Sequence, residues 1–496
     1  MSSFGDRFDG PSGTNDGTFL INVTIAGIDF ARGMDVTKDI LHEGQFLRLV
    51  REPDNRYDEY AIAFMTGGKR IGYVPRTDNC VLAHLMDAGK YLSATVDSIE
   101  RCVIRVNIAL EEDEDDIRMI EDELIESAFN LRQDMIRGSL VCGAYGDALG
   151  APIEFMSEDE LRSAYMGAED IQPVLAYGVL RFTDDTQMSL LAANAMISRE
   201  VCHSMKGIAD EPYHYAYRYY RQWALKMNET PITNGRYHSW LLEIPEIFAW
   251  RAPGNTCMGQ LLNYEEPGTL EERPNASKGC GGVMRAAPYG LGAIPKYAAK
   301  LGCKDAVTTH GHDLGWLTAG ALSGIISRIV YNDEELEDAI GYVIGQMDFE
   351  YGKYEGWKDL KVLLERVLDE YQDYQEGAEF DITRFGEGWV AEETLAMALY
   401  TSLCFLDDIP SALRHAVFHG GDSDSVGSVT GNILGAIHGY RKVCEVLDVS
   451  NLERLDVILR IADDLEDADY ESQEIQDVYL RGEVPGDIRE CTKEIG

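Results

Sequence analysis

The spacing of apolar residues changes once along this chain, and that change limits the folds open to it. Up to residue 110 the apolar residues come in short runs rich in β-branched and aromatic side chains: TFLINVTIAGI, QFLRLVREP, AIAFM, RIGYVP and YLSATVDSIE. Turn-forming stretches such as EPDNRYDEY and TGGK separate them, and one short helical pattern, NCVLAHLMDAG, interrupts the series. From residue 124 onward apolar and small residues recur every three or four positions. LIESAFNLRQDMIRGSLVCGAYGDALG, LGWLTAGALSGIISRIVY, GWVAEETLAMALYTSLCFL and SVTGNILGAIHGYRKVCEVL all follow this pattern. It builds helices, and their Gly and Ala content suits close packing. The expected fold is multidomain, with a small β-rich domain over 19–110 and a large all-α domain over 124–496. Residues 1–18, rich in Gly, Ser and Asp, read as a flexible tail. The run EEDEDDIRMIEDE, 111–123, is hard to bury and reads as an acidic linker.

Charge separates the two parts. Lys and Arg number 44 against 86 Asp and Glu, a net of -42. Residues 20–110 hold 11 basic and 12 acidic side chains, so nearly all the negative charge lies in residues 111–496. Such a surface repels phosphate backbones and anionic lipid, which disfavours a broad electrostatic grip on nucleic acid and leaves room only for a local contact. The 10 cysteines form no CxxC and no Cys/His cluster of zinc spacing, and they read as reduced thiols. The first residues lack a basic start and an apolar core, and no apolar run reaches the ~20 residues needed to span a bilayer. The expectation is a cytoplasmic protein with no membrane partner.

Two short segments stand out chemically. FTDDTQMS, 182–189, sets Asp184 beside Asp185 between two threonines, just ahead of an apolar run. FHGGDSDSVGS, 418–428, puts Asp422, Asp424 and Ser425 after Gly420 and Gly421 and ahead of a helical run. Each alone reads equally well as an acidic helix N-terminus, where carboxylates offset the positive end of the helix and hydroxyls cap free N–H groups. Together, Thr183, Asp184, Asp185, Asp422, Asp424 and Ser425 offer oxygen atoms only. Four carboxylates brought together without a counter-ion repel and take up protons. Hard divalent cations such as Mg²⁺, Mn²⁺ or Ca²⁺ bind oxygen sets of this kind, and two ions about 3.5–4 Å apart can share bridging carboxylates.

Residues 132–445 resemble the ADP-ribosylglycohydrolase family, the relatives of dinitrogenase-reductase-activating glycohydrolase. The resemblance rests on seven motifs in order: GSLVCGAYGDALGAPIEF, FTDDTQMS, RAPGNTC, SKGCGGVMRAAPYGL, TTHGHDLGWLTAGAL, GEGWVAEETLAMALY and GGDSDSV. It implies hydrolysis of the glycosidic bond at C1″ of ADP-ribose at a centre of two divalent ions, Mg²⁺ first among them. Thr183, Asp184, Asp185, Asp422, Asp424 and Ser425 would be its ligands. Ser425 stands where the family more often has threonine, keeping the hydroxyl and losing the methyl group. Asp424, Glu154 and Asp185 become the candidate catalytic carboxylates, with Asp424 as base and Glu154, in APIEF, over the substrate. Gly281, Gly282, His310, Gly420 and Gly421 become candidate substrate contacts. Cys280 reads as a small packed residue with no base beside it, His312 as structural, and the aromatic run YHYAYRYYRQW as core. A second reading keeps the helical part as a non-catalytic sensor of ADP-ribose.

The first part resembles a HIRAN domain, through VTIAGIDF, GQFLRLVREPDNRYDEYAIAFM and RIGYVPR. The resemblance implies a small β-barrel-like fold and a single-stranded DNA end as a candidate partner. Arg48, Arg51, Arg56, Tyr57, Asp58, Arg70, Tyr73 and Arg76 would form its pocket. A protein-interaction or substrate-positioning module is the alternative.

Overall fold

The computed structural model describes residues 18–25, 41, 43–53, 55, 58, 60–66, 69–100, 103–110, 114–232 and 238–488. The chain divides into two compact units, Met1–Leu131 and Arg132–Gly496.

The first unit is built on six strands: β1 (Thr18–Thr24), β2 (Phe46–Arg51), β3 (Ile62–Thr66), β4 (Lys69–Tyr73), β5 (Leu92–Glu100) and β6 (Val103–Leu110). They lie in the order β1-β6-β5-β2-β3-β4, every neighbouring pair antiparallel, as a half-barrel. One face carries the core, including Leu47, Ile62, Phe64, Val96, Ile104, Val106 and Ile108. The expected helix is present as Asn79–Asp87, with Leu82 and Ala83 buried. The reading of the sequence passed over β6. Its VIRVNIAL alternates, with Ile104, Val106 and Ile108 buried and Arg105 exposed, the period-2 mark of a half-buried strand.

The segment expected to be an acidic linker is helical from Glu114, the start of a 37-residue helix ending at Gly150. Glu, Met, Leu and Arg favour helix without any burial, so a charged run need not break the chain into a loop.

The second unit is helical, joined by short 3-10 turns. Among its described residues, β pairing is limited to isolated bridges. At its centre lies Asp313–Asn332, long and apolar enough to cross a membrane by length and composition alone; nearly all of it is buried in the protein, so its apolarity serves the core. The helix Pro212–Met227 buries Tyr215, Tyr217, Tyr219, Tyr220 and Trp223, as expected for core.

One helix contact sets the position of everything that follows. Gly138, Gly146 and Gly150 face Gly435, Gly427 and Asp424 of the helix Ser423–Val446 so closely that a methyl group at any of them would lie within 3.0 Å of the partner backbone. Gly427, Gly431 and Gly435 are equally confined from the other side. Four-residue spacing puts each set on one helix face. The two backbones therefore touch, and the C-terminal end of the first helix meets the N-terminal end of the second.

Candidate functional site

The FTDDTQMS segment begins the helix Asp184–Lys206. Thr183 is its N-cap in extended backbone, its Oγ1 accepting from the Asp185 N–H at 3.3 Å. Asp184 accepts from the Gly254 N–H at 3.3 Å. Asp185 is buried, and its Oδ2 has no hydrogen-bond partner. The turn is braced from beneath by Asp147, in the last turns of the glycine-lined helix. Asp147 takes the Thr183 N–H on both oxygens (2.9 and 3.0 Å), and its Oδ2 also takes the Thr186 N–H (3.1 Å) and hydroxyl (2.5 Å). No role was assigned to Asp147 from sequence. The signal was a carboxylate alone in an otherwise apolar and small stretch, GAYGDALG.

The GGDSDS segment turns at Gly420, whose φ of +72° is costly for any side chain, and a Cβ there would strike the backbone of Glu158. A Cβ at Gly421 would strike the Glu387 carbonyl. Asp422 donates its N–H to that carbonyl at 2.9 Å. The turn throws the carboxylates of Asp422 and Asp424 inward at the start of Ser423–Val446, and the Ser425 N–H donates to Asp424 Oδ1 at 2.9 Å.

The two segments converge. Carboxylate oxygens of Glu154, Asp422 and Asp424 lie within 4.8 Å of one another. The Thr183 side chain favours the charged form of Asp424, and that of Ser425 the charged form of Asp422. Asp184 and Asp185 feel the Asp424 charge most strongly of all their neighbours. All six residues expected to act as ligands, and Glu154, are thus in one place. Burial first, and neighbouring carboxylates second, push Asp147 up to about 7, Asp184 up to about 8 and Glu154 up to about 10; Asp185 and Asp422 also rise well above the usual range. Among the described residues, no lysine or arginine forms an ion pair with any member of this cluster. An all-oxygen cluster with an unpartnered buried Asp185 oxygen fits a hard divalent cation.

Beside the cluster runs the turn Cys280–Gly282. Its shape depends on Arg285, which is wholly buried and was passed over in sequence. Arg285 donates to Gly281 O (2.7 Å), Asp305 Oδ2 (2.8 Å) and Thr309 Oγ1 (2.9 Å), and its guanidinium lies 4.6 Å from the centre of the Tyr220 ring. His310, expected at the substrate, is 1% exposed behind this turn. Its Nδ1 pairs with Thr309 Oγ1 at 2.9 Å, and burial together with the Arg285 charge holds it at about 3, so it is neutral. A Cβ at Gly281 would lie 3.0 Å from His310 Cε1, and one at Gly282 would lie 3.0 Å from Ala306 Cβ. Both glycines let the turn pack against this support. His312 caps Asp313–Asn332 through Nδ1, a structural role as expected. Cys280 departs from expectation. It is half-buried rather than packed away, and desolvation first, then the charges of Asp422 and Asp185, push its thiol well up, keeping it protonated.

In the first unit, Tyr73 donates to Glu52 Oε2 at 3.1 Å, Arg70 approaches Glu52 Oε1 at 3.7 Å, and the Arg70 guanidinium lies over the Tyr73 ring at 5.2 Å. Asp58 takes Asn79 Nδ2 at 2.8 Å and faces Arg76 at 3.5 Å. Arg51 turns to Asp87 at 3.1 Å, and Arg48 is exposed on β2. The expected basic pocket is therefore threaded with acids. Arg56 and Tyr57 lie outside the described residues.

Both units resemble known proteins in sequence. The sequence model described as ADP-ribosylglycohydrolase matches residues 130–475, and that of the HIRAN domain matches 18–112. The chain is 26% identical over 314 residues to the ADP-ribosyl-[dinitrogen reductase] glycohydrolase of Rhodospirillum rubrum, covering 62% of this chain and 86% of that protein. It is 22% identical over 339 residues to ADP-ribosylhydrolase ARH3 of Bos taurus, covering 62% and 86%. Among solved structures, an ADP-ribosylglycohydrolase-related protein complex is 20% identical with a TM-score of 0.41, covering 68% of this chain and 99% of that one.

Proposed function

The chain belongs to the ADP-ribosylglycohydrolase family and carries a HIRAN domain ahead of the hydrolase, and from that premise we propose a metal-dependent enzyme that releases ADP-ribose from a modified group by hydrolysis at C1″. The observation that carries this reading is the convergence of Glu154, Asp422 and Asp424 within 4.8 Å, beside a buried Asp185 oxygen with no partner. Thr183, Asp184, Asp185, Asp422, Asp424 and Ser425 would hold two divalent ions, Mg²⁺ first among them. When bound there, the ions supply positive charge that fixes the ribose diol and acidifies a water.

The residues of the chain divide the remaining work. Cleavage of a glycosidic bond builds positive charge on the ribose ring, and the surrounding carboxylates favour that charge. Asp424 accepts a proton as the water oxygen bonds to C1″. The bond from C1″ to the leaving atom breaks, and that atom takes a proton from Glu154. Asp147 and Arg285 touch no substrate atom in this scheme; they position the Thr183 turn and the Gly281 turn. Incubation of the protein with Mg²⁺ and a set of defined ADP-ribosylated substrates tests the proposal. Free ADP-ribose should appear, and chelation should abolish it. Retained binding of ADP-ribose with no release from any substrate would favour the sensor reading.

The HIRAN unit would direct the enzyme to single-stranded DNA ends through Arg48, Arg70, Tyr73 and Arg76. The acids at 52 and 58 limit that contact to a few phosphates.

A further inference from the structure

Two large aromatic side chains stand exposed at the carboxylate cluster, and the chemistry above uses neither. Phe155 follows Glu154 directly and is 68% exposed. Trp389 is 39% exposed and follows Gly388, where a Cβ would lie 3.3 Å from the Cβ of Asp422. Their rings meet, with centres 6.1 Å apart and planes tilted by 22°. Both backbones are tied down. The Met156 N–H donates to Ile153 O at 3.0 Å, and Trp389 O accepts from the Cys280 N–H at 3.3 Å. The pair is thus an exposed aromatic surface held at fixed register to the cluster.

We infer that Phe155 and Trp389 form a stacking subsite for a nucleobase on the acceptor side of the scissile bond, so that the preferred substrate carries its ADP-ribose on a base. The inference rests on the cluster being the hydrolytic centre. A flat neutral ring gains from an aromatic platform whatever its sequence. A phosphate would be repelled by the surrounding carboxylates. A guanidinium would stack as well, but it seeks a carboxylate in its own plane. Of the two carboxylates that follow Trp389, Glu393 accepts the N–H groups of Glu387 (3.1 Å) and Gly388 (3.3 Å), and Glu392 holds the Lys278 ammonium through Oε1 and keeps its remaining oxygen buried.

The test compares the Mg²⁺-loaded full chain with Phe155→Ala and Trp389→Ala on three substrates: a nucleoside ADP-ribosylated on its base, an ADP-ribosylated arginine peptide and an ADP-ribosylated serine peptide. Calorimetric titration of the free nucleoside into protein saturated with ADP-ribose runs alongside. The inference expects kcat/KM on the base-linked substrate to fall about tenfold or more in each variant, with Trp389→Phe recovering part of the loss. It also expects less than a twofold change on the serine peptide, unchanged Tm, and weakened nucleoside binding in both alanine variants. Equal losses on all three substrates, the largest loss on the arginine peptide, or no nucleoside binding by the parent protein would overturn it. Absence of ADP-ribose release from every substrate would sink the hydrolase reading instead, while the titration still decides the stacking.

Discussion

At the scale of single residues, the cluster is a balance between burial and repulsion. Without a cation, Asp147, Asp184 and Glu154 are pushed up to about 7, 8 and 10. A carboxyl raised on folding stabilises the folded state below its unfolded pKa, and that contribution is lost as pH rises through the folded value. The metal-free protein should therefore lose thermal stability between about pH 4 and 10, and saturating Mg²⁺ should flatten the decline; melting curves across pH, with chelator and with Mg²⁺, measure both. Asp424→Asn removes one of the competing charges. Its turnover should fall at least a hundredfold while its Tm in chelator stays at or above that of the parent. Asp147→Asn turns an acceptor of several hydrogen bonds into a group that is part donor and faces N–H groups. It should cost about 1–3 kcal/mol in denaturant unfolding and lower activity with the six ligands intact. These residues were unequally legible. Adjacent acids at a helix start betray themselves in sequence, because repulsion without a counter-ion makes little structural sense. Asp147 and Arg285 are single polar residues in apolar stretches, and their meaning depends on partners 36 and 20 positions away.

At the scale of elements, the glycine-faced contact between Glu114–Gly150 and Ser423–Val446 decides whether the site exists. It brings Glu154, just past the end of one helix, to Asp422 and Asp424, at the start of the other. A branched side chain on that seam must separate two touching backbones. Gly431→Val should destabilise by about 1–3 kcal/mol or more and reduce metal affinity with it; Gly345→Val, at an open helical position, should do neither. Chemical denaturation and metal titration of the pair measure this. The helical spacing of both segments was plain in the sequence, as was their Gly content. Which glycines faced which could not be read, because the pairing depends on the tertiary crossing of two helices 281 positions apart at Gly146 and Gly427. β6 shows the reverse case. Its alternation was present in VIRVNIAL and needed no tertiary knowledge to be seen. The acidic run at 111–123 shows a third, since high charge excludes burial and does not exclude helix.

At the scale of the whole molecule, the charge is unevenly divided, and so are the expected partners. The helical unit carries most of the net -42 and gathers buried carboxylates at the proposed cation site. Within the first unit, residues 20–110 are close to neutral, and the candidate DNA-binding residues Arg70 and Arg76 each face an acid. Binding of a 3′-labelled single-stranded oligonucleotide to the full chain should therefore weaken only gently with salt, with a slope matching about two or three released counterions, and Arg70→Ala should reduce that slope by about one. Fluorescence anisotropy across salt concentrations gives the number. The most direct test of the account is a count of divalent ions bound by the helical site. Mn²⁺ titration followed by electron paramagnetic resonance should give saturable binding near two ions per chain in the parent protein and loss of that binding in Asp424→Asn. Indistinguishable isotherms for the two proteins would contradict it.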